Sequence, residues 1–195
     1  MKKYHETTAV MSEIFRRGMI AGLLICTVTA YGYTQENRNT YNIHKIQAAF
    51  IYNFIDFVKW PENFNKNSGA QITIGILGRD NFGNAFDEVD GTTVHGKTLK
   101  IRKSDRLEDL SDCWILFVAS SESRQLEHIL KSVAGKPILT VSDIDDFTRY
   151  GGMIQFYPVE INGAMKVRFD VNKQRADQAG LSISYQLLSL ARPKP

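Results

Sequence analysis

Apolar residues recur at spacings of three and four between Asn42 and Trp60, a pattern that predicts an amphipathic helix. Pro61 ends this predicted helix, because the residue before a proline disfavours helical backbone. The polar stripe is narrow and consists of Lys45, Ala48, Tyr52, Asp56 and Lys59. Asn53 falls outside that stripe, so we expect its amide to lie among aromatic side chains and to need hydrogen-bond partners there.

Short apolar runs follow the first helix. The β-branched run at residues 71–77 predicts a core strand that stops at Gly78. Runs at 97–102, 113–119 and 137–141 predict three more strands. Because the runs at 71–77, 113–119 and 137–141 are apolar along most of their length, they are typical of strands that are covered on both faces.

Helical patterns separate some of these strands. The first has Asp80 or Asn81 as its cap, an apolar stripe and a closing glycine; the stripe and glycine are Phe82, Phe86, Val89 and Gly91. The second begins in the serine-rich segment 120–123 and carries Leu126, Ile129, Leu130 and Val133 on one face. Alternating strands and helices predict a single α/β domain with a largely parallel sheet, flanking helices and Rossmann-like layering.

The C-terminal part departs from this alternation. Strand-like runs at 153–159 and 165–171 flank Asn162-Gly163, which predicts an antiparallel hairpin at the end of the sheet. A helix is expected from a cap at Asn172 to Gln178, followed by one or two apolar helical turns at 183–190.

The N-terminal segment has the features of a secretion signal. Arg16 and Arg17 precede an uncharged apolar run at 18–30, shorter than the roughly 20 residues that a membrane-spanning helix needs. We expect cleavage after Ala30, which makes 1–30 a signal peptide. An aperiodic leader at 31–41 and the domain at 42–192 follow, and the alternatives are an uncleaved anchor or a buried helix. Translation starts at Met1 or at Met11.

Composition and charge then narrow the class of protein. A chain of 195 residues that is 43% hydrophobic and 23% charged is typical of one folded domain. A formal charge of +3 gives no reason to expect nucleic-acid binding. After cleavage Cys113 is the one remaining cysteine, so no internal disulfide forms, and its apolar run favours a buried, inert thiol.

Candidate chemistry is sparse. The loop 78–83 has the glycine spacing of a phosphate loop but lacks the Lys and Ser/Thr of that motif. His44, His95 and His128 have no metal-ligand spacing, so we expect no metal and no cofactor. Because no catalytic spacing occurs, we expect no enzyme, and Ser142 and Asp143 favour a helix cap over a catalytic pair.

A ligand or anion at the carboxyl ends of the strands stays open, because α/β sheets tend to bind ligands there. The tandem glycines 151–152 indicate either a bulge or backbone that is open to a ligand or a partner strand. The candidate residues for a ligand or anion loop are Gly78, Asp80, Phe82, Gly83, Ser142, Asp143, Gly151 and Gly152.

Six segments occur in a characteristic order: Ala49–Pro61, Ile74–Gly83, Ile115–Val118, Ile138–Asp143, Gly151–Ile154 and Ala179–Ser184. In that order they resemble the YfiR-like family of exported proteins, over about Ile43 to Ala191. The resemblance implies a periplasmic, non-enzymatic regulator. The best-known relative binds the periplasmic part of an inner-membrane diguanylate cyclase and represses it, which lowers cyclic di-GMP signalling and biofilm formation.

The resemblance also implies a partner: a membrane-bound diguanylate cyclase or a similar inner-membrane receptor, with a homodimer as a further possibility. The first helix supplies a candidate contact surface, formed by Tyr52, Asn53, Asp56 and Trp60, although its apolar ring is more simply core. Family members with disulfides use a cysteine that matches Cys113, and the mature chain lacks a second one. The alternative function is a periplasmic small-molecule sensor.

Overall fold

The computed structural model describes residues 43–67 and 69–192, so the predicted signal peptide, its cleavage point and the leader lie outside the described residues. The helices are α1 (43–57), α2 (Glu62–Asn67), α3 (Leu126–Val133), α4 (Lys173–Gln178) and α5 (Tyr185–Leu190), with 3-10 turns at Leu107–Leu110 and Ser120–Gln125. The strands are β1 (Val58–Lys59), β2 (Gln71–Leu77), β3 (Thr93–Val94), β4 (Lys97–Ser104), β5 (Ile115–Val118), β6 (Leu139–Ser142), β7 (Ile154–Ile161), β8 (Ala164–Val171) and β9 (Ser182–Ile183).

Seven strands form the main sheet, in the order β3-β4-β2-β5-β6-β7-β8. The five central strands β4, β2, β5, β6 and β7 are parallel, and β3 and β8 pair antiparallel at the two edges. Chain order reverses between β2 and β5, because the chain runs from β2 to β3 and β4 on one side and from β5 to β6 on the other. The predicted α/β domain with a largely parallel sheet is confirmed.

Each face of the sheet has its own hydrophobic core. On one face α1 contributes Ile51 and Phe54, and these pack with residues of β2 such as Ile74. On the other face α3 packs against Leu116 and Val118 of β5. The predicted stripe of α3, Leu126, Ile129, Leu130 and Val133, is buried as expected. The burial of both faces explains why β2, β5 and β6 are apolar along most of their length.

Aromatic rings fix α1 on the sheet. Phe54 is fully buried, and its ring lies 6.0 Å from that of Phe156 and 5.8 Å from that of Phe169. The helix ends at 57, three residues before the predicted end, because Val58 and Lys59 form a short antiparallel ladder with β9. Each aromatic pair adds about 0.5–1.5 kcal/mol beyond its area burial, so this cluster is a main anchor of the helix.

The helix predicted after β2 is wrong. Residues 83–91 form successive turns, in which the amide of Ala85 donates to the carbonyl of Phe82 at 3.0 Å, three residues back. Gly83 has a φ of +55°, outside right-handed helix, and Asn and Asp are poor helix formers. The stripe itself was correct, since Phe82 and Phe86 are buried. Rossmann-like layering is therefore present only in part, because this connection carries turns.

The predicted hairpin is present as β7 and β8, with Asn162 and Gly163 both at positive φ, the backbone of a type I′ turn. Asn172 caps α4, and its side chain accepts from the amide of Arg175. The serine cap predicted for α3 is wrong, because the serines lie inside a 3-10 turn that Ala119 precedes. In the described ranges, no helix has both the length and the hydropathy required to span a bilayer.

Candidate functional site: the outer face of α1 and a tryptophan cavity

The outer face of α1 is rotated by about one residue from the predicted stripe. Asn53 and Asp56 are exposed and Tyr52 is half-buried, whereas Ala48 is 2% exposed and belongs to the core. The prediction that the Asn53 amide lies among aromatic side chains is wrong. Phe50 and Phe54 pack against Phe169 of the sheet, so the side of α1 that carries them faces inward and Asn53 lies on the outer side.

A histidine connects this face to the edge of the sheet. His95 Nε2 lies 2.6 Å from Asp56 Oδ1, and the two side chains are 60% and 56% exposed. His95 and Gly96 form the two-residue turn between β3 and β4, with φ values of 51° and 75°. The sequence favoured a solvated histidine here, and no local pattern could have placed it against a helix residue 39 positions away.

Trp60 does not lie on the outer face. It is 7% exposed, and its ring centroid lies 5.0 Å from that of Trp114, which is 4% exposed. Both indoles line a cavity of about 560 Å³. The other lining residues are Ile55, Asp56, Val58, Lys59, Ile72, His95 and Lys97. The four predicted contact residues are thus divided between two places. Tyr52 and Asn53 lie on the outer face of α1, Trp60 lines the cavity, and Asp56 belongs to both.

The polar groups of this cavity are unusual. Neither Trp60 Nε1 nor Trp114 Nε1 has a hydrogen-bond acceptor among the residues the structure describes, although both atoms are buried. An unsatisfied buried donor costs about 1–3 kcal/mol. Lys97 Nζ lies 5.7 Å from the centroid of the Trp114 ring and donates to the carbonyl of Gly69. The cavity therefore combines aromatic surface, cationic charge and donors that an added acceptor would satisfy.

At the carboxyl end of β2, the candidate anion loop contacts side chains of its own chain. A Cβ on Gly78 would lie 2.5 Å from both Ser121 Oγ and Glu122 Oε1. Ser121 Oγ accepts from the Arg79 amide at 3.0 Å and donates to Glu122 Oε1. A carboxylate of the protein itself thus lies beside the predicted loop.

The rest of that loop is also bonded internally. Asp80 Oδ1 accepts from the amide of Phe82 at 2.8 Å, and Asp80 Oδ2 lies 2.7 Å from Lys103 Nζ. Phe82 packs in the core, with its ring 4.7 Å from that of Phe117, and Gly83 has open space around its α-carbon. These contacts order the loop, and a ligand there stays a prediction.

Ser142 is the last residue of β6, and Asp143 follows it at the same carboxyl end of the strands. The Ser142 hydroxyl is fully buried, donates to the carbonyl of Val118 at 2.7 Å and accepts from the amide of Ile144 at 3.0 Å. Burial raises the pKa of the Asp143 carboxyl, and the charge of His44 opposes that shift. Asp143 Oδ1 is buried and has no partner among the described residues, and the same is true of Nε2 of Gln155, which pairs with Ser142 in the strand register.

The tandem glycines permit two close approaches. A Cβ on Gly152 would lie 2.1 Å from the ring of Phe147, which is fully buried. Gly151 has a φ of +101°, and a Cβ there would lie 2.6 Å from the Arg175 guanidinium. Both glycines therefore have a packing role, whereas their role toward a ligand or a partner strand stays a prediction.

The remaining titratable groups offer little chemistry. Within 43–67 and 69–192 no three His, Cys, Asp or Glu side chains are grouped to hold a metal ion. Cys113 is buried, and burial raises its pKa to about 12, which keeps the thiol protonated at neutral pH. His44 Nδ1 lies 3.0 Å from Gln47 Oε1, and this histidine packs edge-on against Phe82.

Comparison with known proteins agrees with the architecture. No curated protein matches the chain. A family model described as YfiR/HmsC-like matches residues 44–192, which begin with α1 and include every strand of the domain. Because that match covers well over half of the chain, the protein belongs to the YfiR/HmsC-like family, DUF4154.

Proposed function

We propose that the protein is a periplasmic regulator without catalytic activity, which binds the periplasmic part of a membrane signalling protein such as a diguanylate cyclase and represses it. The observation that carries this proposal is the family match over residues 44–192. The YfiR/HmsC-like family is associated with periplasmic regulation of diguanylate cyclases and with membrane partners of that kind. The predicted signal peptide supports the proposal, because export would bring the domain into the compartment of such a receptor domain.

The outer face of α1 is the docking surface in this proposal. Tyr52 offers a half-buried ring, Asn53 an exposed amide, and Asp56 a carboxylate that His95 holds in place. A tyrosine presents a large contact area with few rotatable bonds, so binding restricts little conformational freedom. Because Phe54 and its aromatic neighbours fix the helix, the surface is rigid before the partner arrives.

Binding alone suffices for repression. A protein that binds the inactive state of a receptor more tightly than the active state shifts the population toward the inactive state. The required change is small, since each 1.4 kcal/mol of preference shifts the ratio of states about tenfold. A docking surface of a few side chains can supply such a difference.

The test is crosslinking of the tagged protein in intact cells, followed by identification and quantification of the copurified membrane protein. Tyr52→Ala is expected to lower the yield of the receptor crosslink at least about fivefold, since tyrosine is enriched among the interface residues whose truncation costs more than about 1 kcal/mol. Tyr150→Ala is the matched control, because Tyr150 is 62% exposed and lies in the loop before β7. Circular dichroism and thermal melting check that both variants fold.

Two outcomes count against the proposal. Recovery of no membrane protein at good expression would remove the regulatory function itself. Equal crosslinking by the Tyr52 and Tyr150 variants would remove α1 as the docking surface and leave the regulatory function intact.

A second candidate function is a small-molecule sensor with its ligand at the carboxyl ends of the strands. Asp143 favours it, because its buried Oδ1 lacks a partner among the described residues while His44 lies close enough to influence its pKa. A metabolite screen by thermal melting tests it. Saturable stabilisation that Asp143→Asn abolishes supports this function, and stabilisation that survives Asp143→Asn contradicts the site.

A further inference from the structure

The cavity of about 560 Å³ lies at the end of the sheet opposite the carboxyl ends of the strands, where a ligand was expected. Ile72 is the second residue of β2, Lys97 the first of β4, and Trp114 directly precedes β5. The cavity is thus at the amino ends of the parallel strands, whereas open α/β sheets usually bind ligands at the carboxyl ends. A site here needs evidence from its own side chains.

That evidence is a pair of donors. Trp60 and Trp114 are both more than nine-tenths buried, both line the cavity, and neither indole N–H has an acceptor among the described residues. Buried indole N–H groups usually have a hydrogen-bond partner. The ring centroids lie 5.0 Å apart, so one ligand in the cavity can contact both indoles.

The charges around the cavity select the sign of such a group. Lys59 and Lys97 line it, while the Asp56 carboxylate is already paired with His95. Two lysines and one aspartate line the cavity, so the formal charge of its lining is positive and favours an anion. Ile55, Val58 and Ile72 line the same cavity with aliphatic surface, which suits an apolar body better than a bare inorganic ion.

We propose that this cavity binds a small organic carboxylate, with its carboxylate toward the indole donors and Lys97 and its apolar body against the aliphatic wall. The proposal does not depend on repression of a receptor. Asp56 connects the two sites, because it belongs both to the cavity and to the docking surface.

The experiment uses the mature protein with octanoate and benzoate as probes and the neutral amides octanamide and benzamide as controls. The chain has two tryptophans and both line the cavity, so tryptophan emission reports on this site alone. At least one carboxylate is expected to change the emission saturably and to raise the melting temperature. Its amide is expected to bind about tenfold more weakly, because a charge-assisted bond is lost.

Variants assign the contacts. Lys97→Met is expected to weaken carboxylate binding about tenfold and to leave amide binding unchanged, whereas Lys166→Met, at an exposed position on β8, is the matched control with unchanged affinity. Trp114→Phe keeps an aromatic ring but removes the indole N–H donor, and Trp60 stays as the fluorescent reporter. The affinity for the carboxylate is expected to fall about fivefold.

Three results overturn the proposal. The first is no saturable response to either carboxylate by emission or by melting temperature. The second is equal affinity for a carboxylate and its amide, which shows that no anion is selected. The third is undiminished carboxylate affinity in both Lys97→Met and Trp114→Phe, which places the ligand elsewhere.

Discussion

The Ser142 hydroxyl is a structural tie between β5, β6 and the following loop, and Ser142→Ala measures its strength. The substitution removes the bond to the Val118 carbonyl and takes the acceptor from the buried amide of Ile144. A net hydrogen bond contributes about 0.5–1.5 kcal/mol, and a buried donor left unsatisfied costs about 1–3 kcal/mol. The free energy of unfolding is therefore expected to fall by about 3 kcal/mol.

Urea denaturation followed by tryptophan emission measures this loss, and thermal melting is expected to show a decrease of about 6–12 °C, given about 2–4 °C per kcal/mol in a domain of this size. Ser132→Ala is the matched control, because the Ser132 hydroxyl makes one exposed bond to the His128 carbonyl, and we expect a loss below about 1 kcal/mol. If the two variants lose the same free energy, the hydroxyl of Ser142 is not the tie that its geometry indicates.

Three further perturbations test the packing, the thiol and a helix cap. Gly152→Ala forces a methyl group into the Phe147 ring, and it is expected to prevent folding or to lower the free energy of unfolding by more than about 3 kcal/mol in urea denaturation. At Gly83 an added Cβ meets no atom within 4 Å, so Gly83→Ala is expected to cost about 1 kcal/mol. Similar losses in the two variants would contradict the close approach of Gly152 to Phe147. Because the pKa of Cys113 is raised to about 12 in the folded state from a reference of 9.0, the thiol ionises first in the unfolded chain, so its contribution to stability is complete below pH 9 and falls by up to about 1.4 kcal/mol per pH unit between pH 9 and 12. Between pH 9 and 12 the free energy of unfolding, measured by urea denaturation, should fall less steeply for Cys113→Ala than for the parent protein. Equal slopes for the two proteins would refute the burial of the thiol. Asn172→Ala removes the cap of α4 and is expected to cost about 1 kcal/mol, a value that an unchanged urea midpoint would contradict.

Features that depend on neighbouring residues could be predicted from the sequence. The hairpin followed from Asn162-Gly163, whose residues adopt the positive φ angles of the turn, and the cap of α4 followed from Asn172. The core strands followed from their apolar runs. The connection 83–91 forms turns although its sequence predicts a helix. Successive turns can have the same spacing of apolar residues as a helix, and that spacing does not reveal the positive φ of Gly83.

Features of the site depend on packing between distant segments and were not accessible in this way. Trp60, directly after β1, packs against Trp114, directly before β5, and the pattern of α1 alone gave no reason to place Trp60 in a cavity wall. The orientation of Asn53 was missed for a related reason, since Phe156 and Phe169, far along the chain, decide which side of α1 faces inward. His95 could be placed in a turn, but its partner Asp56 could not be identified.

The short ladder between β1 and β9 has a consequence for the order of events when the chain is made. Val58 pairs with Ile183, so the segment that ends α1 near the start of the domain receives its strand partner from β9, near the other end of the domain. Contacts between such distant residues form slowly, because a long loop must close first. The domain cannot complete its fold while its tail is still being translated. In the export that we propose, the segment after α1 therefore has no strand partner until β9 has been synthesised.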